Sequence, residues 1–297
     1  MNQRGTAERM LLRRLASNLF VLALIVFAGG FGAAALVRFS PGFASIPEDL
    51  DPSLSPETLA ALHRQHEDQN PLPVFYAHYL GNALHGDFGI SSEFNQPVAD
   101  LLSQRLPETA RLVGLGTLEG CFFAALLAWV AVWSKQRTFR LLPSVFNGIL
   151  LAIPPAVLGL IFFLRQAPIA LAIALALLPR LYGALRVILE NLYASPALLA
   201  ARARGARPAT IALRYIAGAA SSQFAALLGV ALVLAFGITI AIEGVCQVPG
   251  IGSLALAAAK SRDLPLLSAL ALLITFFVAF VHTVGELVTG GSEGIRR

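Results

Sequence analysis

One ionisable side chain, Glu119, stands inside a long apolar stretch and is the first candidate for chemistry in this chain. It lies in the otherwise uncharged run 112–134, which is long enough to cross a membrane. An acid at membrane depth is costly, so Glu119 is a candidate for a polar translocation path or a proton relay. The alternatives are a position near the membrane interface and a hydrogen bond to a neighbouring helix. We favour these structural alternatives.

Two consecutive prolines, Pro154 and Pro155, interrupt a second apolar run, 141–164. Proline lacks the backbone N–H that a helix needs, so the pair predicts a kink or a local break. Such breaks are tolerated inside a membrane where the backbone lines a cavity, although kinked helices also occur as ordinary packing. This run is therefore the best candidate for a translocation path.

Motifs of the common enzyme classes do not occur in the sequence. The two lysines, Lys135 and Lys260, do not stand in G-x-x-x-x-G-K-[ST], the phosphate-binding loop, and neither H-E-x-x-H nor G-x-S-x-G is present. His63 and His66 have helical spacing that could hold a metal, but solvated histidines are more common. We therefore expect no enzyme activity, no metal site and no cofactor bound by this chain.

An arginine- and alanine-rich segment, 191–214, follows the fourth apolar run. Ser195 is a suitable N-cap for a helix that has Pro196 at its first position. Gly205 is suited to end this helix in the left-handed conformation. The pattern predicts a helix-turn-helix elbow, with arginines outward, alanines inward and a second short helix near Pro208. It is either a lever that docks into a cytoplasmic partner or a basic loop that binds anionic lipid headgroups.

The elements that must position these residues are apolar helices. Apolar residues make up 57% of the 297 residues and charged residues only 13%, which excludes a disordered chain and an ordinary soluble enzyme. Each apolar run of about 20 residues predicts a membrane-spanning helix, and two of these runs contain a single charged residue, Glu119 or Arg180. The chain is thus predicted to be an all-α integral membrane protein with six transmembrane helices, in the runs 17–37, 112–134, 141–164, 166–185, 215–242 and 264–285.

The lysines and arginines predict the orientation. With the N-terminus in the cytoplasm, about two thirds of the 22 lysines and arginines fall in cytoplasmic segments, so both termini are expected inside. The net charge of +5 then reflects topology, and no nucleic-acid partner is expected. The first outer segment, 38–111, is predicted to be largely helical, with short helices at 57–67 and 73–84. It is either a structural cap or a docking surface for an extracytoplasmic partner.

Several short motifs, in this order and spacing, make the chain similar to a known family. It resembles the integral permease subunits of ATP-binding-cassette (ABC) importers, in the dipeptide, oligopeptide and nickel branch. The motifs that carry this resemblance are Arg38-Phe39-Ser40-Pro41-Gly42, Gly86-Asp87-Phe88-Gly89, Arg105-Leu106-Pro107-Glu108-Thr109, Ala201-Arg202-Ala203-Arg204-Gly205, Glu243-Gly244-Val245, Val248-Pro249-Gly250-Ile251-Gly252 and Arg262-Asp263-Leu264-Pro265.

The resemblance implies a type I ABC importer permease fold in the inner membrane of a bacterium. Its parts would be 1–37 (N-terminus and first span), 38–111 (periplasmic insertion), 112–290 (five-helix core with the coupling loop 191–214) and 291–297 (cytoplasmic tail). The implied partners are a second permease subunit, two ABC ATPases that bind ATP and Mg, a periplasmic solute-binding protein and membrane lipid. Peptide is the most common solute in the branch, and nickel is an alternative.

The resemblance also assigns roles to particular residues. The loop that engages the ATPases would consist of Ala200, Ala201, Arg202, Ala203, Arg204, Gly205, Ala206 and Arg207. The candidates for the translocation path remain those that the residues themselves indicate, Glu119, Pro154 and Pro155. The periplasmic docking or gate residues would be Glu243, Pro249, Gly250, Gly252 and Asp263. The connection between the third and fourth spans, near 165–168, is shorter than in relatives.

Other classes of protein remain open from the sequence. A secondary transporter driven by an ion gradient would use Glu119 and His282 as a proton relay, although the six runs show no inverted repeat. An intramembrane enzyme would need a nucleophile–base pair that the sequence does not display. A third alternative is an assembly subunit that does not itself transport.

Overall fold

The structure, a computed structural model, is helical throughout most of the chain that it describes. It describes residues 72–134, 137–206 and 218–294, together with Ser17, Phe20, Val21, Ala23–Gly32 and Ala35. The helices are α1 (Ala23–Gly32), α2 (Leu72–Ala83), α3 (Val98–Trp133), α4 (Arg137–Ala152), α5 (Pro155–Leu164), α6 (Ile169–Tyr193), α7 (Pro196–Ala203), α8 (Gly218–Cys246), α9 (Ile251–Ser261) and α10 (Leu264–Gly294).

In the part of the chain that the structure describes, four helices are long and apolar enough to cross a membrane. They are Val98–Val132 in α3, Ile169–Tyr193 in α6, Ser221–Cys246 in α8 and Leu264–Glu286 in α10. The predicted runs 112–134, 166–185, 215–242 and 264–285 coincide with these four helices. The predicted first span, 17–37, lies partly outside the described residues, and the part described includes the short apolar helix α1.

The predicted break at the two prolines is confirmed. Helices α4 and α5 would together form a fifth span, but they are bent by 91°. Pro154 has the extended ψ of 137° and Pro155 opens α5 at its first position. A residue before proline avoids the helical conformation, and proline is preorganised for the first turn of a helix, so the chain ends one helix and starts another here.

The helices extend further than the apolar runs predicted. Helix α3 begins at Val98 and not at Leu112, because charged residues in its first turns end the apolar run but not the helix. Helix α6 continues to Tyr193 for the same reason. Helix α9 was not predicted, since its 11 residues lie in a segment that was taken as an outer loop.

The chain divides into two compact units. The first contains residues 1–105 and 254–279. Within it, Tyr76 of α2 is buried between the rings of Phe27 and Phe31, and its hydroxyl donates to the Phe27 carbonyl oxygen at 3.0 Å. Tyr79 donates to the Pro265 carbonyl oxygen at 3.2 Å. The predicted helix at 73–84 is thus present as α2, whereas the one predicted at 57–67 lies outside the described residues.

The second unit contains residues 106–253 and 280–297, and α6 lies at its centre. Helix α6 packs against α4, α5, α7 and α8. Glycines allow two close approaches: Gly116 of α3 faces Ile173 and Gly159 of α5 faces Ile242. Small residues at helix contacts are the usual means by which membrane helices pack closely. The short connection 165–168 turns through Gln166, which has a φ of 51°.

Candidate functional site

A buried carboxylate, Glu243, organises the end of α8. Its side chain is fully buried, and both of its oxygens accept hydrogen bonds. The Thr109 hydroxyl of α3 donates to Oε1 at 2.8 Å, and the Gly252 N–H donates to Oε2 at 2.7 Å. Thr109 Oγ1 in turn accepts the Ile251 N–H at 2.9 Å. A buried acid needs donors of this kind to offset the loss of water.

These bonds close the N-terminus of α9. Ile251 and Gly252 are its first two residues, whose N–H groups have no partner within the helix. The Glu243 carboxylate and the Thr109 hydroxyl supply the missing acceptors, and a negative charge is favoured at this end of a helix. The result is that α3, α8 and α9 are held together at one point, which we call the Glu243 cluster (Thr109, Glu243, Ile251 and Gly252).

Two glycines are required by the packing of the Glu243 cluster. A Cβ on Gly250 would overlap the Glu243 carboxylate, and a Cβ on Gly252 would overlap the Ile240 carbonyl oxygen. Pro249 is exposed in the turn that precedes them. Four of the five predicted gate residues therefore lie within one short region. The contacts seen there, hydrogen bonds and close packing, hold helices together.

The fifth, Asp263, has a different set of partners. It is buried in the first unit and caps α10, since Oδ1 accepts the Leu266 N–H at 3.1 Å. Oδ2 accepts the Ser91 hydroxyl and, at 3.2 Å, the Glu93 N–H. Asp263 thus fixes the loop between α2 and α3 to the start of α10. Burial also raises the pKa of the nearby Tyr79, so its hydroxyl stays protonated and able to donate.

The elbow forms as the sequence predicted as far as Ala206. The Ser195 hydroxyl oxygen accepts the Leu198 N–H at 3.4 Å, and Pro196 is the first residue of α7. Gly205 has a φ of +73°, and the next residue, Ala206, donates its N–H to the Ala201 carbonyl oxygen at 3.1 Å. This left-handed glycine is the usual way to end a helix.

The predicted arrangement of alanines in the elbow is wrong in part. Leu198 and Ala201 are buried, but Ala200 and Ala203 are exposed beside the exposed Arg204. They are exposed because only one face of an eight-residue helix can pack on α6, and these alanines lie on the other face. Arg207 and the second helix predicted near Pro208 lie outside the described residues.

The path candidates are not brought together by hydrogen bonds. Glu119 is partly buried in α3, and its Oε2 has no hydrogen-bond partner among the described residues. The expected interhelix bond is therefore not made through this oxygen. Pro154 and Pro155 lie at the break between α4 and α5. His282 pairs with Glu286 of its own helix at 3.7 Å, so this conformation does not show the Glu119–His282 relay.

Sequence reasoning missed the partners of the two buried acids. Thr109 was noticed only as part of a motif, and Ser91 was not singled out. A cluster on α4 and α6 was also missed: Ser144 and Arg186 are joined by a hydrogen bond across the two helices. The sequence does show polar residues at helical spacing within the apolar runs. That spacing does not indicate which two helices pack together, so it could not predict this hydrogen bond.

Comparisons with known proteins support one family. Residues 120–291 match the family described as binding-protein-dependent transport system inner membrane component. The chain is 27% identical to a "Probable peptide ABC transporter permease protein" of Sinorhizobium fredii, over 93% of this chain and 95% of that relative. It is 24% identical to a "Nickel import system permease protein" of Staphylococcus aureus, over 94% of this chain and 90% of that protein.

Proposed function

The chain belongs to the binding-protein-dependent transport system inner membrane component family, and on this basis we propose that it is one permease subunit of an ATP-driven importer. As a family member it is a multi-pass inner-membrane transport component and not a catalytic subunit. The proposal adds that it encloses the solute path with a second, related permease chain. Two cytoplasmic ABC ATPases would bind ATP and Mg beneath them, and this chain would bind no cofactor itself.

The observation that carries the proposal is the geometry of the elbow. Helix α7 follows α6 after a single capped turn, so a push on α7 is delivered to a membrane-spanning helix. Its exposed residues include alanines, the apolar Leu199 and Arg204, which suit close approach, apolar contact and pairing with an acid of a partner. ATP binding would close the ATPase dimer, and the elbow would transmit that closure as a rocking of the helices.

The proposed topology has six spans with both termini in the cytoplasm. Residues 17–37 would form the first span, and 38–111 would be a periplasmic insertion, within which α3 begins. Residues 112–290 would be the permease core with the coupling loop 191–214, and 291–297 a cytoplasmic tail. The surplus of lysine and arginine in the cytoplasmic segments supports this orientation.

On the opposite side, the Glu243 cluster in one unit and Asp263 in the other would each stabilise an outer segment that contacts the solute-binding protein. Both acids hold the N-terminus of a helix that begins in the predicted outer region. The path would run beside the broken span at Pro154 and Pro155, with Glu119 as a further lining residue. A broken helix offers backbone groups to a solute without leaving them in lipid.

Peptides are the proposed solute, and nickel is the alternative within the same architecture. The first relative is named for peptides and the second for nickel, at similar identity. The test is uptake by proteoliposomes that contain this chain with its co-purified subunits and binding protein, and ATP inside or outside. ATP-dependent uptake of a labelled dipeptide is expected. Uptake of nickel alone would overturn the peptide assignment, and no ATP-dependent uptake of either would overturn the importer.

An ion-coupled secondary transporter is the second candidate. The observation that favours it is Glu119 Oε2, which has no hydrogen-bond partner among the described residues. A carboxyl without a hydrogen-bond partner in an apolar helix is suited to bind and release a proton. The same proteoliposomes separate the two candidates. A secondary transporter would show uptake without ATP that an uncoupler abolishes, whereas the importer would be insensitive to the uncoupler.

A further inference from the structure

We propose that a chain of polar contacts carries the movement of the elbow into α4, the first half of the broken span, with Arg186 as its central positioning residue. The proposal rests on the function proposed above, because a lever is needed only if ATPases act on the elbow. It adds the route by which the elbow reaches the break. The contact chain consists of Arg202, Tyr193, Glu190, Arg186 and Ser144.

The first link joins α7 to the end of α6. The Arg202 guanidinium of α7 lies over the ring of Tyr193, with Cζ 3.6 Å from the ring centre. A cation over an aromatic face is attracted by the negative face of the ring. Leu198 and Ala201, both buried, add apolar contact on the packed face of the same helix. A displacement of α7 therefore moves the last turn of α6 with it.

The second link crosses from α6 to α4. Arg186 Nε donates to Glu190 Oε1 at 2.7 Å, and Arg186 Nη1 donates to Ser144 Oγ at 2.9 Å. Ser144 Oγ also lies 3.4 Å from the Tyr182 hydroxyl. The fork of the guanidinium holds partners on two helices at once, which lysine cannot do with the same geometry. Glu190 lies one turn before Tyr193, so the two links are continuous along α6.

A third contact lies one turn further along α4. Asn147 Nδ2 donates to the Pro179 carbonyl oxygen of α6 at 3.2 Å. Helix α4 is thus hydrogen-bonded to α6 on two successive turns, at Ser144 and at Asn147. Hydrogen bonds are stronger in a low-dielectric environment than in water. Beyond the break, α5 packs against α8 through an apolar contact at Gly159 and Ile242.

These contacts predict how the two halves of the broken span, α4 and α5, move relative to each other. Helix α4 moves with α6 and the elbow, because polar bonds connect them. Helix α5 is packed against α8 as well as α6, so the difference in movement is taken up at the non-helical residues between Ala152 and Pro155. Helical hydrogen bonds do not continue across this 91° break with its two prolines, so they do not resist a movement of α4 relative to α5.

The test is the ratio of solute taken up to ATP hydrolysed, measured on the complete transporter in proteoliposomes. Arg186→Gln is expected to lower this ratio at least about fivefold while the subunits still co-purify. Arg180→Gln is the matched control, since Arg180 is an exposed arginine of the same helix. Ser144→Ala is expected to lower the ratio as well. The double variant Arg186→Gln with Ser144→Ala is expected to be no worse than Arg186→Gln alone, because Arg186→Gln already breaks the bond between Arg186 and Ser144.

A wild-type ratio in Arg186→Gln, or effects of the two substitutions that multiply, would overturn the contact chain. If Arg186→Gln does not assemble, Ser144→Ala decides, and an unchanged ratio there overturns it. A wild-type complex with no ATP-dependent uptake would overturn the proposed function itself and the contact chain with it. The wild-type measurement therefore separates failure of the function from failure of this route.

Discussion

Among single residues, Thr109 offers the simplest test of the Glu243 cluster, because one substitution removes its hydroxyl and keeps the shape of its side chain. Its hydroxyl both donates to Glu243 and accepts from the Ile251 N–H. Thr109→Val keeps the shape of the side chain and leaves two buried polar groups without partners. We expect the free energy of unfolding to fall by about 1–3 kcal/mol, seen as a lower thermal midpoint of the purified protein.

The matched control is the same substitution on the same helix at Thr117. Thr117 is also buried, but its hydroxyl oxygen has no hydrogen-bond partner among the described residues. Thr117→Val removes an unsatisfied polar atom and is expected to leave the midpoint unchanged or higher. Equal midpoints for the Thr109 and Thr117 variants would show that the Glu243 cluster does not hold α9 in place.

Glu119 gives a second prediction for a single residue, and it separates two kinds of transport. Glu119→Gln keeps the size and polarity of the side chain but removes its titration. If ATP drives uptake, the rate in proteoliposomes is expected to stay within about twofold of wild type. Loss of uptake, with the complex intact, would favour the proton-coupled alternative.

Among the elements, the turn after α7 depends on the left-handed conformation of Gly205. A Cβ at this position would meet nothing within 4 Å, so a substitution there acts on backbone conformation and not on packing. Asparagine tolerates this conformation and valine does not, at a cost of about 1–3 kcal/mol. We expect Gly205→Val to uncouple ATP hydrolysis from uptake without loss of membrane insertion, and Gly205→Asn to retain coupling. Normal uptake in Gly205→Val would count against the elbow.

The contact between α5 and α8 offers a packing test. A Cβ on Gly159 would lie 2.7 Å from Ile242 Cγ1, so Gly159→Ala overpacks this contact. We expect the free energy of unfolding to fall by about 1–3 kcal/mol. Ile242→Ala removes the two Cγ atoms in conflict, so it is expected to lower the thermal midpoint less in the Gly159→Ala variant than in the wild type. Gly148→Ala on α4 is the control, because a Cβ there meets open space. Equal midpoints for the Gly159 and Gly148 variants would contradict this packing of α5 on α8.

The sequence predicted which helices form better than where they end. The length of the apolar runs identified α3, α6, α8 and α10, since a single segment can cross lipid only as a helix or as part of a closed barrel. The break at Pro154 and the elbow with Ser195 and Gly205 were predicted because local backbone chemistry decides them. Helix ends outside the apolar runs were not, because charged residues are compatible with helix once it leaves the membrane. Helix α9 is too short to give a signal of its own.

For the molecule as a whole, the site was harder to predict than the helices. The Glu243 cluster needs residues from α3, α8 and α9, and the bond from Arg186 to Ser144 needs the packing of α6 on α4. Neither pairing follows from spacing along the chain, because tertiary contacts decide which helix faces meet. The family motifs indicated Glu243 and Asp263 as important, but not that each closes the start of a helix.

In the proposed assembly, this chain is a permease subunit whose elbow binds an ATPase. The most direct measurement is a mild-detergent pull-down of the tagged chain from its native membrane, with co-purifying chains identified by mass spectrometry. The wild type and Gly86→Val, a control with a similar positive φ of 84° outside the elbow, should both recover a P-loop ATPase and a second permease chain. Gly205→Val should weaken recovery of the ATPase. Recovery of the wild-type chain alone, under conditions that keep a control ABC importer intact, would show that the chain is not a permease subunit of this kind.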